Sequence, residues 1–341
     1  MNLNQLNSAF TLFLSLLVEA FPFLLLGVLF SGLLLFFVDE RKLVKLMPRN
    51  PLLGAFAGSC FGFLFPVCEC GNIPVARRLL MQGVPSPVAI GFLLAAPTIN
   101  PIVIWATWTA FRDQPEMVFL RVAFSLAIAT IIGWVFSAQA DLRPLLQPNV
   151  ARSIPQPRKP SSRQAADTSP LLQSGTFFLG QGEQGVIDAA ELQASILAAG
   201  TTGKPFTYKL GLFLENTVLE LRELGSVLVL GSAVAALIQV FVPREIILSL
   251  GQGPVTSILA MMLLAAVVSI CSTVDSFFAL SFASTFTTGS LLAFLVFGPM
   301  IDLKGVGLMF SIFKGRAIFY LFALAAQLTF VLTLFINLNI S

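Results

Sequence analysis

Long uninterrupted apolar runs, separated by short polar segments, dominate the chain. Eight runs stand out, at positions 9–38, 52–67, 87–111, 118–137, 225–242, 257–270, 291–301 and 318–336. About 20 consecutive apolar residues suffice for a helix to cross a hydrocarbon core about 30 Å thick. Strands of a membrane barrel would instead show alternating segments of about 10 residues. The pattern therefore predicts an all-α, polytopic membrane protein.

Composition supports this class of protein. Of 341 residues, 56% are hydrophobic and only 11% are charged, whereas about 25% are charged in an average soluble domain. Basic residues are absent from positions 1–38 and cluster at Arg41, Lys42, Lys45 and Arg49. Basic loops tend to stay in the cytoplasm, so we expect an outside N-terminus and a multi-pass protein of the plasma (inner) membrane.

The polar segment 138–207 divides the chain. It is rich in proline, serine and arginine and has too few apolar residues to fold alone. We expect a flexible, cytoplasmic linker between a first transmembrane repeat, 1–137, and a second repeat within 208–341. Residues 208–221 show helical spacing of apolar residues with charges between them, which predicts an interfacial amphipathic helix leading into the second repeat.

The two halves resemble each other in sequence. Four pairs of features follow in the same order at nearly constant separation: 19–27 with 223–231, Cys68 with Cys271, Asn72 with Asp275, and 92–100 with 294–302. Such internal repeats are a common plan of secondary transporters, in which the halves enclose a site near the middle of the membrane. The basic loop after the first helix has no equally basic counterpart after Val242, which favours inverted repeats.

Both halves also contain a matched interruption of an apolar run. In "AAPTINP" the interruption contains Pro97, Asn100 and Pro101, and in "FGPMIDLKG" it contains Asp302 and Lys304. Proline removes a helical donor and disfavours helix in the residue before it. Irregular backbone at membrane depth is tolerated where protein or a water-filled cavity satisfies it. We expect re-entrant or discontinuous helices that line a pathway; the alternative is a simple proline kink.

Other polar residues within apolar surroundings have two interpretations each. Asp275 is a candidate proton or counter-ion site, because ionisable residues inside membranes are commonly functional; alternatively it caps a helix. Glu19 and Glu223 either carry protons or anchor their helices. Arg77 and Arg78 could attract an anionic substrate, although a position among lipid headgroups is favoured.

The cysteines provide the most specific chemistry. Cys68, Glu69 and Cys70 follow one another in "PVCECGNIP", and the duplication predicts that Cys271 approaches Cys68. Thiolates prefer soft ions and metalloids, and the chain has no histidine. These three cysteines are therefore candidate soft ligands, with Glu69 as a fourth, although no metal site is assigned. The alternative is that they only pack, which is the favoured role for Cys60.

The segment "FPVCECGNIPVARRLLMQGVPSPVAIGFLLAAPTINP", with "SICSTVDSFFAL" and "FGPMIDLKG", resembles the predicted permease family that includes the YraQ-like proteins and the ArsP methylarsenite efflux permease. The resemblance covers both membrane halves but not the linker. It implies an inner-membrane permease of two related halves. In arsenical exporters of this family cysteines help to recognise the substrate, a role that would fall on Cys68, Cys70 and Cys271.

These observations together predict a permease that moves a small solute by alternating access, rather than an enzyme. The chain has no GxxxxGK[ST] nucleotide-binding motif, so an ion gradient or the solute gradient must drive transport. Its expected partners are the lipid bilayer and a small-molecule or ion substrate, with no cofactor and no nucleic acid; a homo-oligomer is left open.

Two alternatives are a membrane-embedded thiol redox protein that exchanges disulfides with a thioredoxin-like partner, and a channel or structural subunit. The residues expected to form the pathway are Cys68, Glu69, Cys70, Asn72, Pro97, Asn100, Cys271, Asp275, Asp302 and Lys304.

Overall fold

The computed structural model describes residues 3–37, 47–48, 50–65, 68–139, 143–153, 206–241 and 253–339 of the chain. Thirteen α-helices lie within these ranges: α1 (Leu3–Phe37), α2 (Pro51–Phe61), α3 (Glu69–Met81), α4 (Ser86–Ile99), α5 (Pro101–Ala110), α6 (Pro115–Ser137), α7 (Pro148–Ser153), α8 (Phe206–Phe241), α9 (Pro254–Val268), α10 (Asp275–Leu280), α11 (Thr288–Met300), α12 (Leu303–Met309) and α13 (Gly315–Asn339).

The order of helices repeats. A long first helix, α1 or α8, is followed by a shorter apolar helix, a third helix that begins near the aligned cysteine, a broken span and a final long helix. Helices α1 to α6 thus correspond in order to α8 to α13 without α7. The similarity of the two halves extends from sequence to element order, while their opposite orientation in the membrane stays a prediction.

Six spans within the described residues are long and apolar enough to cross a membrane, at Leu6–Leu34, Ser86–Ala110, Pro115–Ser137, Leu210–Val240, Thr288–Met309 and Gly315–Asn339. The two broken spans are the most enclosed, whereas the others expose many leucine and phenylalanine side chains. Helices α4 and α11 also contact each other. The centre of the molecule is therefore the pair of broken spans, with lipid-facing helices around them, as expected of a polytopic α-helical membrane protein.

The breaks are short and are capped by the predicted polar residues. In the first repeat the helix stops at Ile99 and resumes at Pro101, and Asn100 between them accepts a hydrogen bond from the Val103 amide at 2.9 Å. In the second repeat Asp302 accepts from the Gly305 amide at 2.8 Å. Each side chain satisfies a donor that a helix start leaves unpaired, so each break is a stable restart of the helix rather than a kink.

The beginning of the second repeat differs from its sequence-based prediction. Residues 208–221 form the first part of the continuous 36-residue helix α8 rather than a separate interfacial helix. Asn216 and Glu220 on this part are buried. The polar positions that suggested an interfacial helix therefore face protein, and their contacts are described below.

The start of the predicted linker packs on the second repeat. Leu146 and Val150 are fully buried, and the Gln147 amide donates to the Ile312 carbonyl at 2.8 Å. Residues 154–205 lie outside the described residues, as does the basic loop that predicted the orientation of the N-terminus. The linker boundaries and the orientation therefore stay predictions.

Candidate functional site

Three residues of the cysteine motif meet at the start of α3. Cys68 is the residue before the helix, and Glu69 and Cys70 are its first two residues. Their two sulfur atoms and one carboxylate oxygen all lie within 4.8 Å of one another. Only 2% of Cys68, 5% of Glu69 and 0% of Cys70 is exposed. The motif thus forms a compact, enclosed group of two thiols and a carboxylate.

Cys271 from the second repeat joins this group. The Cys68 thiol lies within 4.8 Å of the Cys70 thiol and also lies close to the Cys271 thiol. All three cysteines are free and buried, whereas Cys60 is exposed. The structure therefore brings together the two cysteines that the sequence repeat had aligned. We call Cys68, Glu69, Cys70 and Cys271 the thiol cluster.

An unusual backbone conformation precedes Cys271. Ser269, which ends α9, has a φ of 48°, and within the described residues it is the single non-glycine residue with a positive φ. Its hydroxyl accepts a hydrogen bond from the Leu303 amide at 3.1 Å. Such left-handed conformations cost free energy and occur often at functional sites. Here the turn fixes the Cys271 segment against the start of α12.

Helix α12 brings a buried positive charge to the thiol cluster. The Lys304 ammonium nitrogen lies 4.0 Å from a Glu69 carboxylate oxygen, and the lysine is 1% exposed. The other oxygen of Glu69, Oε2, is buried and accepts no hydrogen bond in the described part of the chain. Asp302 also lies within electrostatic reach of Lys304. The four residues of the thiol cluster thus share one buried region with Asp302 and Lys304.

Two glycines let the surrounding helices approach this region closely. Gly27 of α1 packs directly on the backbone of Gly71 in α3, where a Cβ atom would overlap it. Gly231 of α8 lies against the backbone of Lys304, where an added Cβ would be 3.7 Å from the Lys304 Cα. These are the glycines that end the aligned segments 19–27 and 223–231. Each repeat therefore places a long helix against the thiol cluster region through the equivalent glycine.

Arg77 and Arg78 occupy a different place from the one favoured by sequence. Both are 1% exposed, so they do not lie among lipid headgroups. Arg77 pairs with Glu223 at 3.0 Å, and Arg78 lies 3.8 Å from Glu220. The two ion pairs join α3 to α8. At 1.5 Å per residue, Arg77 lies about 12 Å along α3 from Glu69. The pairing itself was not predicted, because a sequence gives no indication of which glutamate an arginine will meet.

Glu220 has further polar neighbours. The Ser31 hydroxyl of α1 donates to both of its carboxylate oxygens at 3.1 and 3.2 Å, and the Asn216 amide donates at 3.3 Å. The carboxylate therefore links α1, α3 and α8. Its burial explains why residues 208–221 combine charges with apolar positions inside a membrane-spanning helix.

Asp275 is held in a second buried cluster. Arg121 of α6 donates to both of its oxygens, at 3.1 and 2.6 Å. The same guanidinium donates to Thr107 at 2.7 Å and to Ser276 at 2.8 Å. Arg121 was missed as a functional candidate, although a lone arginine within the apolar run 118–137 is itself a signal. Asp275 is thus the centre of an ion pair that connects the two repeats.

The remaining predicted site residues lie in the first repeat. Asn72, on α3, donates to the Leu93 carbonyl at 2.6 Å. Pro97 is buried inside α4, and Asn100 caps α5. The Asn72 bond links α3 to α4, and Asn100 joins the end of α4 to the start of α5. A role in the pathway stays a prediction for all three residues.

Comparisons with known proteins identify the family of the chain. A family model described as a predicted permease, ArsP_1, matches residues 5–338. The YcgR protein of Bacillus subtilis is 38% identical over 317 residues, which is 93% of this chain and 92% of YcgR. A Streptococcus mutans protein, named as a subunit of a two-component membrane permease complex, is 34% identical over 307 residues, or 90% and 87% of the two chains. No solved structure shows significant similarity to the chain. A model match over nearly the whole length and relatives of this identity place the chain in the ArsP_1 family of predicted permeases.

Proposed function

We propose that this membrane permease carries a small thiol-reactive or otherwise soft solute, such as a trivalent arsenical or a sulfur compound, past the thiol cluster. The main support is the proximity of Cys68 to both Cys70 and Cys271 in a buried region that residues of both halves form. Soft thiol ligands bind such species in preference to hard ions. A site between repeats is also where secondary transporters bind their substrates.

Transport by alternating access is consistent with the burial of this site. A solute can reach enclosed thiols only if the surrounding helices move, because the three cysteines are at most 2% exposed. The broken spans and the contacts between repeats supply elements that can move relative to each other. We therefore assign solute binding to the thiol cluster and include Asn72, Asn100, Asp275 and Asp302 in the proposed pathway.

Replacement of the adjacent thiols tests this function. We expect the double substitution Cys68→Ser and Cys70→Ser to abolish transport of the arsenical or sulfur solute in membrane vesicles, with normal protein levels. Cys60→Ser is the matched control, because Cys60 is exposed and lies outside the cluster. Unchanged transport by the double variant would remove the thiols from the mechanism.

A thiol redox function is the second candidate, and the proximity of Cys68 to Cys271 favours it. Two thiols in contact can form a disulfide when an oxidant accepts their electrons. A redox function requires one thiol to be trapped as a mixed disulfide with a thioredoxin-like protein. Burial of all three thiols opposes access by such a partner, so we expect trapping to fail.

We also infer that the permease works with a second protein. The support is the name of the S. mutans relative, which describes it as one subunit of a two-component permease complex. Affinity purification of the tagged chain from its native membrane tests this inference. A stoichiometric second protein is expected, and transport by the purified chain alone in proteoliposomes would contradict it.

A further inference from the structure

The Lys304 ammonium is a positive charge enclosed beside the thiol cluster. It lies 4.0 Å from Glu69 Oε1, which is longer than the 2.7–3.2 Å typical of a hydrogen bond. Attraction between charges, rather than a close hydrogen bond, therefore links the two groups. Because a buried carboxylate without a counter-charge is very costly, Lys304 compensates Glu69 while no cargo is bound.

The carboxylate retains a free coordination position in this arrangement. Glu69 is 5% exposed, and its Oε2 accepts no hydrogen bond within the described residues. Asp302 caps α12 through its Oδ1 and the Gly305 amide, and its Oδ2 likewise accepts no hydrogen bond within the described residues. Glu69 is nevertheless the carboxylate with an oxygen within 4.8 Å of the Cys68 and Cys70 sulfur atoms, so it is the one that can offer an oxygen to a ligand next to the cysteines.

The ligand types and their spacing fit a soft cation. A zinc-like ion bound by tetrahedral ligands at about 2.3 Å requires its sulfur ligands to be roughly 3.7 Å apart. The ligand atoms of Cys68, Glu69 and Cys70 lie within 4.8 Å of one another, and Cys271 lies next to Cys68 but outside this group of three. Contraction of the three, together with a movement of Cys271 toward them, would give three sulfur ligands and one oxygen ligand.

We propose that the thiol cluster binds a soft metal cation through Cys68, Cys70, Cys271 and Glu69, and that this cargo displaces the Lys304 ammonium from Glu69. The lysine is then a resident cation that balances the empty site and competes with the cargo. This inference rests on the proposed function, because it assigns a charge and a ligand set to the solute of the same cluster.

The position of the pair connects binding to the contact between repeats. Glu69 belongs to α3 in the first repeat, and Lys304 belongs to α12 in the second. A cation that takes the carboxylate breaks this link between the repeats and replaces it by coordination to Cys271. The occupied and empty sites thus differ in the contacts that hold α12 against α3. A ligand can shift a conformational equilibrium only if it interacts differently with the two conformations, and this difference in contacts meets that requirement.

Metal binding by the purified full-length protein tests the proposal. Cd²⁺ is the cation probe, detected by equilibrium dialysis and by the ultraviolet absorbance of cadmium–thiolate bonds. Phenylarsine oxide is a neutral thiol probe that does not need a carboxylate. The variants are Lys304→Met, Lys304→Arg, Glu69→Gln and the double variant Glu69→Gln with Lys304→Met. Lys314→Met, at an exposed position, is the control.

We expect Lys304→Met to bind Cd²⁺ at least about tenfold more tightly, and Glu69→Gln to bind it at least about tenfold more weakly, as couplings between close charges imply. Lys304→Arg should not tighten binding, since it retains the positive charge. Loss of the lysine should no longer tighten binding once Glu69 is replaced, and phenylarsine oxide should bind all these variants equally.

Three results would overturn the proposal while leaving the proposed function intact: arsenical binding without Cd²⁺ binding, an unchanged Cd²⁺ affinity in Lys304→Met, or an unchanged affinity in Glu69→Gln. If Lys304→Met does not fold, Glu69→Gln and the charge-balanced double variant still decide between the outcomes. Failure of the wild-type protein to bind either probe would instead refute the thiol cluster as the solute site.

Discussion

Arg121 combines complete burial with a full positive charge, and four hydrogen bonds compensate for that burial. It donates to both oxygens of Asp275 and to the hydroxyls of Thr107 and Ser276. A buried ion pair adds little to the free energy of folding when it is compared with an apolar pair of the same size. Removal of one partner is nevertheless costly, because it leaves the other charge buried and uncompensated. Asp275 is therefore expected to stabilise the folded state, in addition to any role in transport.

We expect Asp275→Asn to lower the free energy of unfolding in detergent by about 3–5 kcal/mol, because the Arg121 charge would stay buried without its counter-ion. Thermal or denaturant unfolding followed by circular dichroism measures the effect. Asp113→Asn, at an exposed position, should change stability little.

The double variant Arg121→Met with Asp275→Asn separates charge from shape. It removes both charges, so it should be more stable than Asp275→Asn alone. An Asp275→Asn protein as stable as the wild type would show that the ion pair does not stabilise the fold.

At the scale of elements, close helix crossings surround the thiol cluster. Gly27 allows α1 to lie on the backbone of α3, and Gly231 allows α8 to lie near the backbone of α12. The two positions are equivalent in the repeats but differ in spacing. There is no room for a side chain at Gly27, whereas a methyl group at Gly231 would make an ordinary contact.

This difference gives a matched pair of substitutions. Gly27→Ala should destabilise the protein by about 1–3 kcal/mol, because an added methyl forces two backbones apart. Gly231→Ala should be tolerated or slightly stabilising, since alanine is the better helix former by about 0.5–1 kcal/mol. Thermal unfolding of both variants in one detergent checks the contrast, and equal effects would contradict the described crossing of α1 and α3.

At the scale of the whole molecule, the described conformation encloses the site. Cys60 should therefore react with N-ethylmaleimide roughly tenfold or more faster than Cys68, Cys70 or Cys271, whose modification requires the protein to open. Peptide mass spectrometry after timed labelling measures the four rates.

Alternating access further predicts that a membrane-impermeant maleimide reaches the cluster of a Cys60→Ser variant from each side of the membrane. Access from only one side would contradict that mechanism.

The parts of this architecture that sequence could predict are those with a local or repeated signal. Six of the eight apolar runs overlap the membrane spans, while runs 52–67 and 257–270 form shorter helices. The prolines, together with the polar residues Asn100 and Asp302, predicted the breaks. The repeat predicted that Cys271 approaches Cys68, because equivalent residues meet where they lie close to the axis that relates two halves; the aligned pair Asn72 and Asp275 instead bonds to Leu93 and to Arg121. The partners of Arg77, Arg78 and Arg121 had no such signal, since each lies on a helix far away in the chain. The interfacial helix was predicted from the charged residues in 208–221. Whether those residues are buried depends on partners on distant helices, which the sequence does not reveal.

The segment 143–153 has a consequence for how the chain can be divided. Its buried Leu146 and its hydrogen bond to the Ile312 carbonyl anchor the end of the first half directly on the second half, before the chain reaches residue 154. We therefore expect the halves to stay in register without the covalent connection through 154–205. Two separate polypeptides, 1–153 and 206–341, should assemble into a working permease when they are produced together. A first fragment that ends at residue 139 should assemble less well, which copurification of the two fragments would measure.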